Sequence, residues 1–191
     1  MVVANGWTLY ETPGFEHQKA KLEAQVCARK AKDPVGWAAT ADAKLLNAIE
    51  RLTLDLIPAD PGAGQFRQGG TLGKARKHWF RAKFGNGRYR LFFQYHSAAR
   101  IIIHAWVKDA ETLRTCGATT DAYAVFKAML DKGDPPDDWE GLGASRHCGG
   151  QAGEASGREE GALEKAMSAH RDEVAITIQD RRVQRRRGGA E

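Results

Sequence analysis

The feature that most constrains the fold is an alternation of apolar and basic residues on either side of Gly85-Asn-Gly87. Before this tripeptide the alternation covers residues 78–84, with Phe80, Ala82 and Phe84 apolar and Arg81 and Lys83 between them. Successive side chains of a strand point to opposite faces, so the segment predicts a strand with one apolar and one basic face. The glycines supply the positive φ angles of a tight hairpin loop.

The chain then returns through a second and a third predicted strand. In residues 88–95 the apolar face carries Tyr89, Leu91, Phe93 and Tyr95. Residues 101–107 are almost entirely apolar, which is typical of a central strand. Together these segments predict an antiparallel β meander.

Helical patterns lie on both sides of the meander. A short strand at residues 7–10 precedes two predicted helices. In the first, at about 15–30, apolar residues recur at spacings of seven and four, and in the second, at 37–56, they recur every three to four positions. After the third strand we expect a helical turn at 109–115 and a helix over 120–132, capped by Thr120 and ended by Gly133. The fold class predicted is α+β.

Composition separates the chain into two parts. Pro135-Pro-Asp-Asp-Trp139 is predicted to stop the fold, and from about Gly141 the chain consists largely of Gly, Ala, Ser, Glu and Arg. Such a segment has too few large apolar residues for a core. We therefore expect one domain over residues 1–140 and a flexible tail over 141–191.

Positive charge is concentrated on the meander. Residues 65–116 contain 11 Lys and Arg but only two acids, Asp109 and Glu111, whereas the whole chain has a net charge of +5. A basic surface on one element of a domain is typical of proteins that bind a polyanion, most often nucleic acid. The basic residues are predicted to share strand faces in pairs: Arg81 with Lys83, Arg88 with Arg90, and His104 with Lys108.

The sequence disfavours a metal site, a cofactor, a membrane span and a signal peptide. The cysteines Cys27, Cys116 and Cys148 have no close ligand spacing, so we expect three reduced thiols and no zinc site. The acids lack a spacing that would hold Mg²⁺ near the basic strands, and no cofactor is expected. No apolar run approaches the ~20 residues of a membrane span, and the first residues lack the layout of a signal peptide, which predicts a cytoplasmic protein without a membrane partner.

Five strings resemble the YhaV toxin family within the RelE/ParE-like superfamily. They occur in order over residues 5–139 and are Asn5-Gly-Trp-x-Leu-Tyr10, Lys83-Phe-Gly-x-Gly-Arg-Tyr-Arg-Leu-Phe-Phe93, Thr112-Leu-Arg-Thr115, Thr120-Asp-Ala-Tyr123 followed by Val125-Phe126, and Pro135-Pro-x-Asp-Trp139. The chain departs from the family at Cys116, where an aromatic residue is expected, and in the tail from Gly141.

The resemblance implies a RelE-like fold, with an N-terminal strand and two helices before an antiparallel meander and a short C-terminal helix. It further implies a toxin of a type II toxin–antitoxin system that cleaves RNA, held inactive by a cognate antitoxin of the PrlF (AbrB-like) type, with the ribosome as a further candidate partner. The catalytic residues implied are Lys83, Arg88, Arg90, Arg114 and Tyr123. We assign RNA binding to Arg81, Lys108 and Lys77.

These residue types suit RNA cleavage without metal. The 2′-hydroxyl of RNA can attack the adjacent phosphorus, and the protein then has to position the strand, transfer protons and stabilise phosphoryl charge. Arg, Lys, Tyr and His side chains can perform those tasks. Structural roles stay open for three residues: Tyr123 can pack the last helix on the sheet, His104 can be a core histidine, and Arg88 can be a solvated residue of the hairpin turn.

Two other functions remain open at this point. A toxin of the same fold can act without catalysis by binding a protein such as DNA gyrase, but that role does not require Arg and Lys aligned on strand faces. A DNA-binding regulator requires a recognition helix with base-reading side chains. The last predicted helix, from Asp121 to Lys132, is apolar and acidic instead.

Overall fold

The computed structural model describes residues 2–108 and 122–148 of the chain. Within these ranges a five-stranded sheet has the order β1-β2-β5-β4-β3. Its strands are Val2–Ala4 (β1), Trp7–Glu11 (β2), Phe80–Phe84 (β3), Tyr89–His96 (β4) and Ile101–Lys108 (β5). β2 and β5 are parallel and the other neighbours are antiparallel, so the sheet is mixed and the fold is α+β as predicted.

Helices cover both faces of this sheet. They are Pro13–Lys32 (α1), Ala41–Arg51 (α2), Ala122–Asp131 (α3) and Trp139–Cys148 (α4). Thr12 begins α1 and Thr40 begins α2, each accepting a hydrogen bond from the backbone N–H three residues later at 3.3 Å. Because Thr40 is extended, the predicted second helix is divided into a 3₁₀ turn, Trp37–Ala39, and α2 itself. From α2 the chain stays helical through Leu52–Leu56 and Ile57–Ala59.

The meander forms as its alternation predicts. Phe80 pairs with Phe93, and the loop residues Gly85, Asn86 and Gly87 have φ of 56°, 54° and 77°. The N-terminal strand β1 was not predicted, because three residues are too few for a periodic signal. It pairs with β2 through a turn in which Asn5 and Gly6 have φ of 51° and 77°.

Each face of the sheet has its own apolar core. On the first face Leu91, Phe93 and Ile102 pack with Phe15 of α1 and Ile49 of α2, all with at most 1% of their surface exposed. A fully buried side chain of this size contributes about 1.5–3 kcal/mol. The first two helices are therefore held to the sheet by hydrophobic burial.

The second face is covered by α3 and α4. Phe126 of α3 stacks on Phe92 of β4 with ring centroids 4.1 Å apart, and Trp79 meets Phe126 edge to face at 5.0 Å. Leu142 of α4 is 0% exposed in this core. The stop predicted at Pro135–Trp139 is therefore followed by another packed helix, which begins at Trp139 and passes residue 140.

An extra residue in β5 changes which side chains share a face. Phe92 pairs with Trp106 but Phe93 pairs with His104, so Ala105 has no partner of its own in β4. Such a bulge reverses the alternation of faces along the strand. The predicted common face of His104 and Lys108 is thus wrong. The His104 ring lies 5.8 Å from Phe15 on the α1 face, whereas Lys108 lies on the α3 face.

Several predictions fall outside the described residues. They are the helical turn at 109–115 with Arg114, the cap at Thr120 and the tail beyond residue 148. Among the described helices none is both long and apolar enough to cross a bilayer.

The buried His104 should make the free energy of unfolding depend on pH in the acidic range. Burial, reinforced by the positive charge of Lys19, lowers the pKa of His104 from 6.5 to about 3, although the backbone of Tyr10 acts in the opposite direction. In the unfolded chain the His104 imidazole binds a proton near pH 6.5, whereas in the folded chain it stays neutral at that pH. The free energy of unfolding therefore decreases as the pH falls below 6.5. One such proton changes it by up to about 1.4 kcal/mol per pH unit.

Urea unfolding measured from about pH 6.5 down to about pH 4.5 tests this contribution. His104→Leu should remove most of the slope, whatever its effect on stability at neutral pH. The control is His17→Gln, at an exposed position of α1, which should keep the slope. An unchanged slope in His104→Leu would assign the acid sensitivity to other groups.

The position of Leu142 predicts where the folded domain can be truncated. A chain ending at residue 148 should melt at the same temperature as the full chain, because the tail is predicted to lack a core. A chain ending at residue 140 should melt lower, since Leu142 is lost from the core, and full-length Leu142→Ala should lose about 2–5 kcal/mol. Thermal melting followed by circular dichroism compares the three. A large loss in the 148-residue chain would show that the tail contributes to folding.

Candidate nucleic-acid interface

Three cations lie side by side on the α3 face of the sheet. Lys83 of β3 pairs with Arg90 of β4, and Arg90 pairs with Lys108 of β5. Paired residues of antiparallel strands point to the same face with Cα atoms about 4.5–5.5 Å apart, so the Cα atoms of all three lie within about 11 Å. We call Lys83, Arg90 and Lys108 the cationic row. The pairing thus brings three of the predicted site residues together on one face.

The row extends from solvent into the protein. Lys83 is exposed, Arg90 is half-buried and Lys108 is only 5% exposed. Like charges directly opposite each other destabilise a sheet, and among the described residues no ion pair joins Lys83 or Arg90 to a carboxylate. A bound anion would offset this repulsion, which makes the row suited to phosphate.

Arg90 is held in place by the hairpin loop and by α3. Its Nη1 donates to the Gly87 carbonyl at 3.2 Å, and its guanidinium carbon lies 5.6 Å from the centre of the Tyr123 ring. The buried Nε has no hydrogen-bond partner in the part of the chain that the structure describes. The guanidinium is thus held between the hairpin loop and the Tyr123 ring.

Tyr123 joins a second arginine to the row. Arg81 Nε donates to the Tyr123 hydroxyl at 2.6 Å, and Arg81 Nη1 donates to the Gln65 carbonyl at 3.2 Å. The Tyr123 ring also meets Phe92 edge to face at 5.7 Å. Tyr123 therefore packs on the sheet and contacts both Arg81 and Arg90.

Other predicted site residues lie away from the row. Arg88 is in the hairpin turn, exposed, with its guanidinium carbon 5.8 Å from the centre of the Tyr89 ring. Lys77 is exposed after the 3₁₀ turn Lys74–Arg76. Arg114 lies outside the described residues, so its distance from the row is not defined.

An aspartate that sequence reasoning did not select organises the region before β3. Asp137 accepts hydrogen bonds from Arg76 at 2.8 Å and from the Trp79 indole at 2.7 Å, and it contacts His78 at 3.1 Å. Arg76 also binds Asp131 at 2.8 Å. Arg76 therefore belongs to a structural ion-pair cluster, although it contributes to the basic count of residues 65–116. Asp137 occupies the unspecified position of the string Pro135-Pro-x-Asp-Trp139, so no sequence signal pointed to it.

The same cluster controls the charge of Asp137. Partial burial acts to raise the pKa of Asp137, but the hydrogen bonds from Arg76, Trp79 and His78 outweigh it and keep that pKa below its usual value. The pKa of Arg76 is raised, mainly by its hydrogen bonds to Asp137 and Asp131. The ion pair thus stays charged at neutral pH.

The described residues provide cations and a phenol at this face rather than a metal centre. In residues 2–108 and 122–148 no group of three or more His, Cys, Asp or Glu side chains is placed to hold a metal ion. Arg and Lys donors aligned on a rigid sheet can bind phosphate oxygens and stabilise negative charge that develops on them.

Comparison with known proteins agrees with this chemistry. Residues 9–146 match the profile of the family Toxin_YhaV, described as a toxin with endonuclease activity, of a toxin–antitoxin system. "Toxin YhaV" of Escherichia coli O6:H1 is 46% identical over 139 residues, which cover 72% of this chain and 90% of the relative. "Ribonuclease toxin YhaV" of Escherichia coli K12 is 45% identical over the same length and the same shares. No solved structure matches the chain.

The match extends from β2 into α4 and includes the cationic row, Tyr123 and Asp137. Both relatives exceed 40% identity across nearly their whole length. The chain therefore belongs to the YhaV family of toxins with endonuclease activity from toxin–antitoxin systems.

Proposed function

We propose that this chain is the toxin of a type II toxin–antitoxin system and cleaves RNA without a metal ion, by attack of the RNA's own 2′-hydroxyl. The observation that carries the proposal is the cationic row, in which Lys83, Arg90 and Lys108 are directly paired across three strands. The endonuclease activity in the family description favours this function over a toxin that binds a protein target without catalysis.

The three residues of the cationic row are assigned different tasks, charge stabilisation or positioning of the phosphate, according to their place in it. Arg90 stabilises charge on the reacting phosphate, because its guanidinium is fixed by Gly87 and Tyr123 and carries a planar fork of donors. Lys83 and Lys108 flank it and hold the phosphate in place. Arg114 is retained as a further charge-stabilising residue on the family resemblance alone.

Tyr123 is the candidate for proton transfer. Its hydroxyl accepts from Arg81 at 2.6 Å, which directs the oxygen atom, and Arg90 lies against its ring. A positioned phenol can exchange a proton with the attacking or the leaving oxygen of RNA. His104, buried in the opposite core, is not assigned to the reaction.

The remaining basic residues extend the surface along the RNA. Arg81 contacts Tyr123 beside the row, whereas Lys77 and Arg88 lie exposed outside it. Contacts of this kind with phosphates position a strand without performing chemistry. Among the catalytic candidates, Arg88 is the one whose exposed position in the hairpin turn fits phosphate binding better than catalysis.

The wider assignments form part of the same proposal. The order of two helices, an antiparallel meander and a later helix supports a RelE-like fold, and the toxin is expected to act in the cytoplasm. An antitoxin of the PrlF (AbrB-like) type would inhibit it by covering the cationic row with acidic side chains, since carboxylates compete for sites that bind phosphate. The ribosome remains a candidate partner.

Cleavage is expected to persist in EDTA and to leave 2′,3′-cyclic phosphate ends, because the nucleophile comes from RNA and the charge is stabilised by side chains. Purified protein incubated with RNA, with and without chelator, tests this, and the 3′ ends are identified by mass spectrometry. The RNA control carries 2′-deoxy or 2′-O-methyl nucleotides and should not be cut. Activity abolished by EDTA and restored by Mg²⁺ would refute the metal-free mechanism.

Arg90→Ala is expected to lower single-turnover cleavage at saturating RNA by about 10²–10³, the usual cost of losing one preorganised donor. Arg90→Lys should recover only part of the rate, because an ammonium keeps the charge without the fork of donors. Arg100→Ala is the matched control, since it removes the same charge from a residue that lies 5.1 Å from the centre of the Trp7 ring, outside the row. If Arg90→Ala cleaved saturating RNA at the wild-type rate, Arg90 would be a binding residue, and charge stabilisation would be assigned to Arg114 instead.

A further inference from the structure

The end of β5 extends beyond its neighbour on one side. The parallel ladder between β2 and β5 begins at Thr8 and Ile101 and ends where Glu11 pairs with His104. β5 continues to Lys108, paired with β4 on its other side. The last four residues of β5, including Lys108 of the cationic row, therefore have no strand of the described sheet on the β2 side.

Two side chains replace the missing strand. The hydroxyl of Thr12 donates to the Ala105 carbonyl at 2.7 Å, at the bulge. Two residues later, Gln18 of α1 donates from Nε2 to the Val107 carbonyl at 3.0 Å and accepts from the Val107 N–H at 3.2 Å through Oε1. A carboxamide has the donor and the acceptor of a peptide group, so Gln18 binds Val107 as a neighbouring strand would.

The residue held in this way immediately precedes Lys108. Val107 pairs with Leu91 and is 2% exposed, and the next pair along the ladder is Arg90 with Lys108. A buried backbone N–H and C=O without partners cost free energy, and the end of a strand that lacks them opens more easily. The position of Lys108 relative to Arg90 thus depends on a helix on the other face of the sheet.

We propose that Gln18 is a positioning residue of the cleavage site, whose carboxamide holds Val107 and thereby keeps Lys108 in the cationic row. The inference rests on the proposed function, because it assumes that Lys108 holds the reacting phosphate. Gln18 acts through the backbone of β5 and does not contact RNA.

The test is a double-mutant cycle with Gln18→Met, Lys108→Met and the double variant, in the full-length chain. Cleavage is measured in single turnover at saturating RNA, below the melting temperature of every variant. Gln18→Met should slow cleavage about ten- to a hundredfold, the usual effect of a displacement of about 1 Å at a reacting group. In the Lys108→Met background the same change should have little further effect on the rate.

The matched control is Gln68→Met. Gln68 also binds backbone groups through its carboxamide, donating to the Arg76 carbonyl at 2.9 Å and accepting from the Leu72 N–H at 3.1 Å, in a loop before β3. It should lower the melting temperature as Gln18→Met does, but leave the cleavage rate at saturating RNA unchanged. If Gln18→Met does not fold, Gln18→Glu replaces it, because a carboxylate still accepts from Val107 N–H but cannot donate to the carbonyl.

Each outcome decides between a positioning and a structural role. Equal slowing by Gln18→Met with and without Lys108 would overturn the proposal, as would a loss of stability alone. Wild-type cleavage by Lys108→Met would also overturn it, while the proposed ribonuclease function would stand. If the wild-type chain failed to cleave RNA, the proposed function would fail first, and the role of Gln18 with it.

Discussion

The extra residue at Ala105 is the constraint on which the site depends. Without it, the strict alternation of β5 would place Lys108 on the same face as His104, in the core beneath α1. The bulge lets one strand place the neutral His104 under α1 and Lys108 on the opposite face beside Arg90. Thr12 and Gln18 then bind the backbone of β5 beyond the ladder with β2.

Hydrophobic packing on the second face brings the phenol to the cations. Phe126 stacks on Phe92 at 4.1 Å and on Trp106 at 5.8 Å, which fixes α3 against the centre of the sheet. Residues three apart lie on the same side of a helix, so Tyr123 is directed at the same face, one turn before Phe126. There it meets Arg81 and Arg90. The aromatic core and the candidate site are therefore adjacent parts of a single surface, and a variant that loosens α3 should also misplace Tyr123.

The Asp137 cluster secures the same surface from its other end. Asp137 follows α3 in the chain, and it binds Arg76 and Trp79, which precede β3 by a few residues. Gln94 of β4 adds a hydrogen bond to the Asp137 carbonyl at 3.1 Å. Polar contacts between segments about 40 to 60 residues apart thus close the second face around its core, while Lys83 and Arg88 at the hairpin stay exposed.

The sequence by itself determined the strands of the meander, their hairpin loop, the first two helices and the placing of Lys83 on the basic face of its strand. These features follow from local rules, because alternation, helical spacing and positive φ at Gly-Asn-Gly involve residues close together in the chain. It also identified the family through strings such as the one from Lys83 to Phe93. Only the tertiary structure decided that His104 and Lys108 lie on opposite faces of the sheet. It also decided three contacts between distant segments: Tyr123 with Arg81, Asp137 with Arg76, and Gln18 with Val107. Each depends on groups about 40 to 90 residues apart or on one unpaired residue in a ladder, and no local periodicity encodes where distant segments meet.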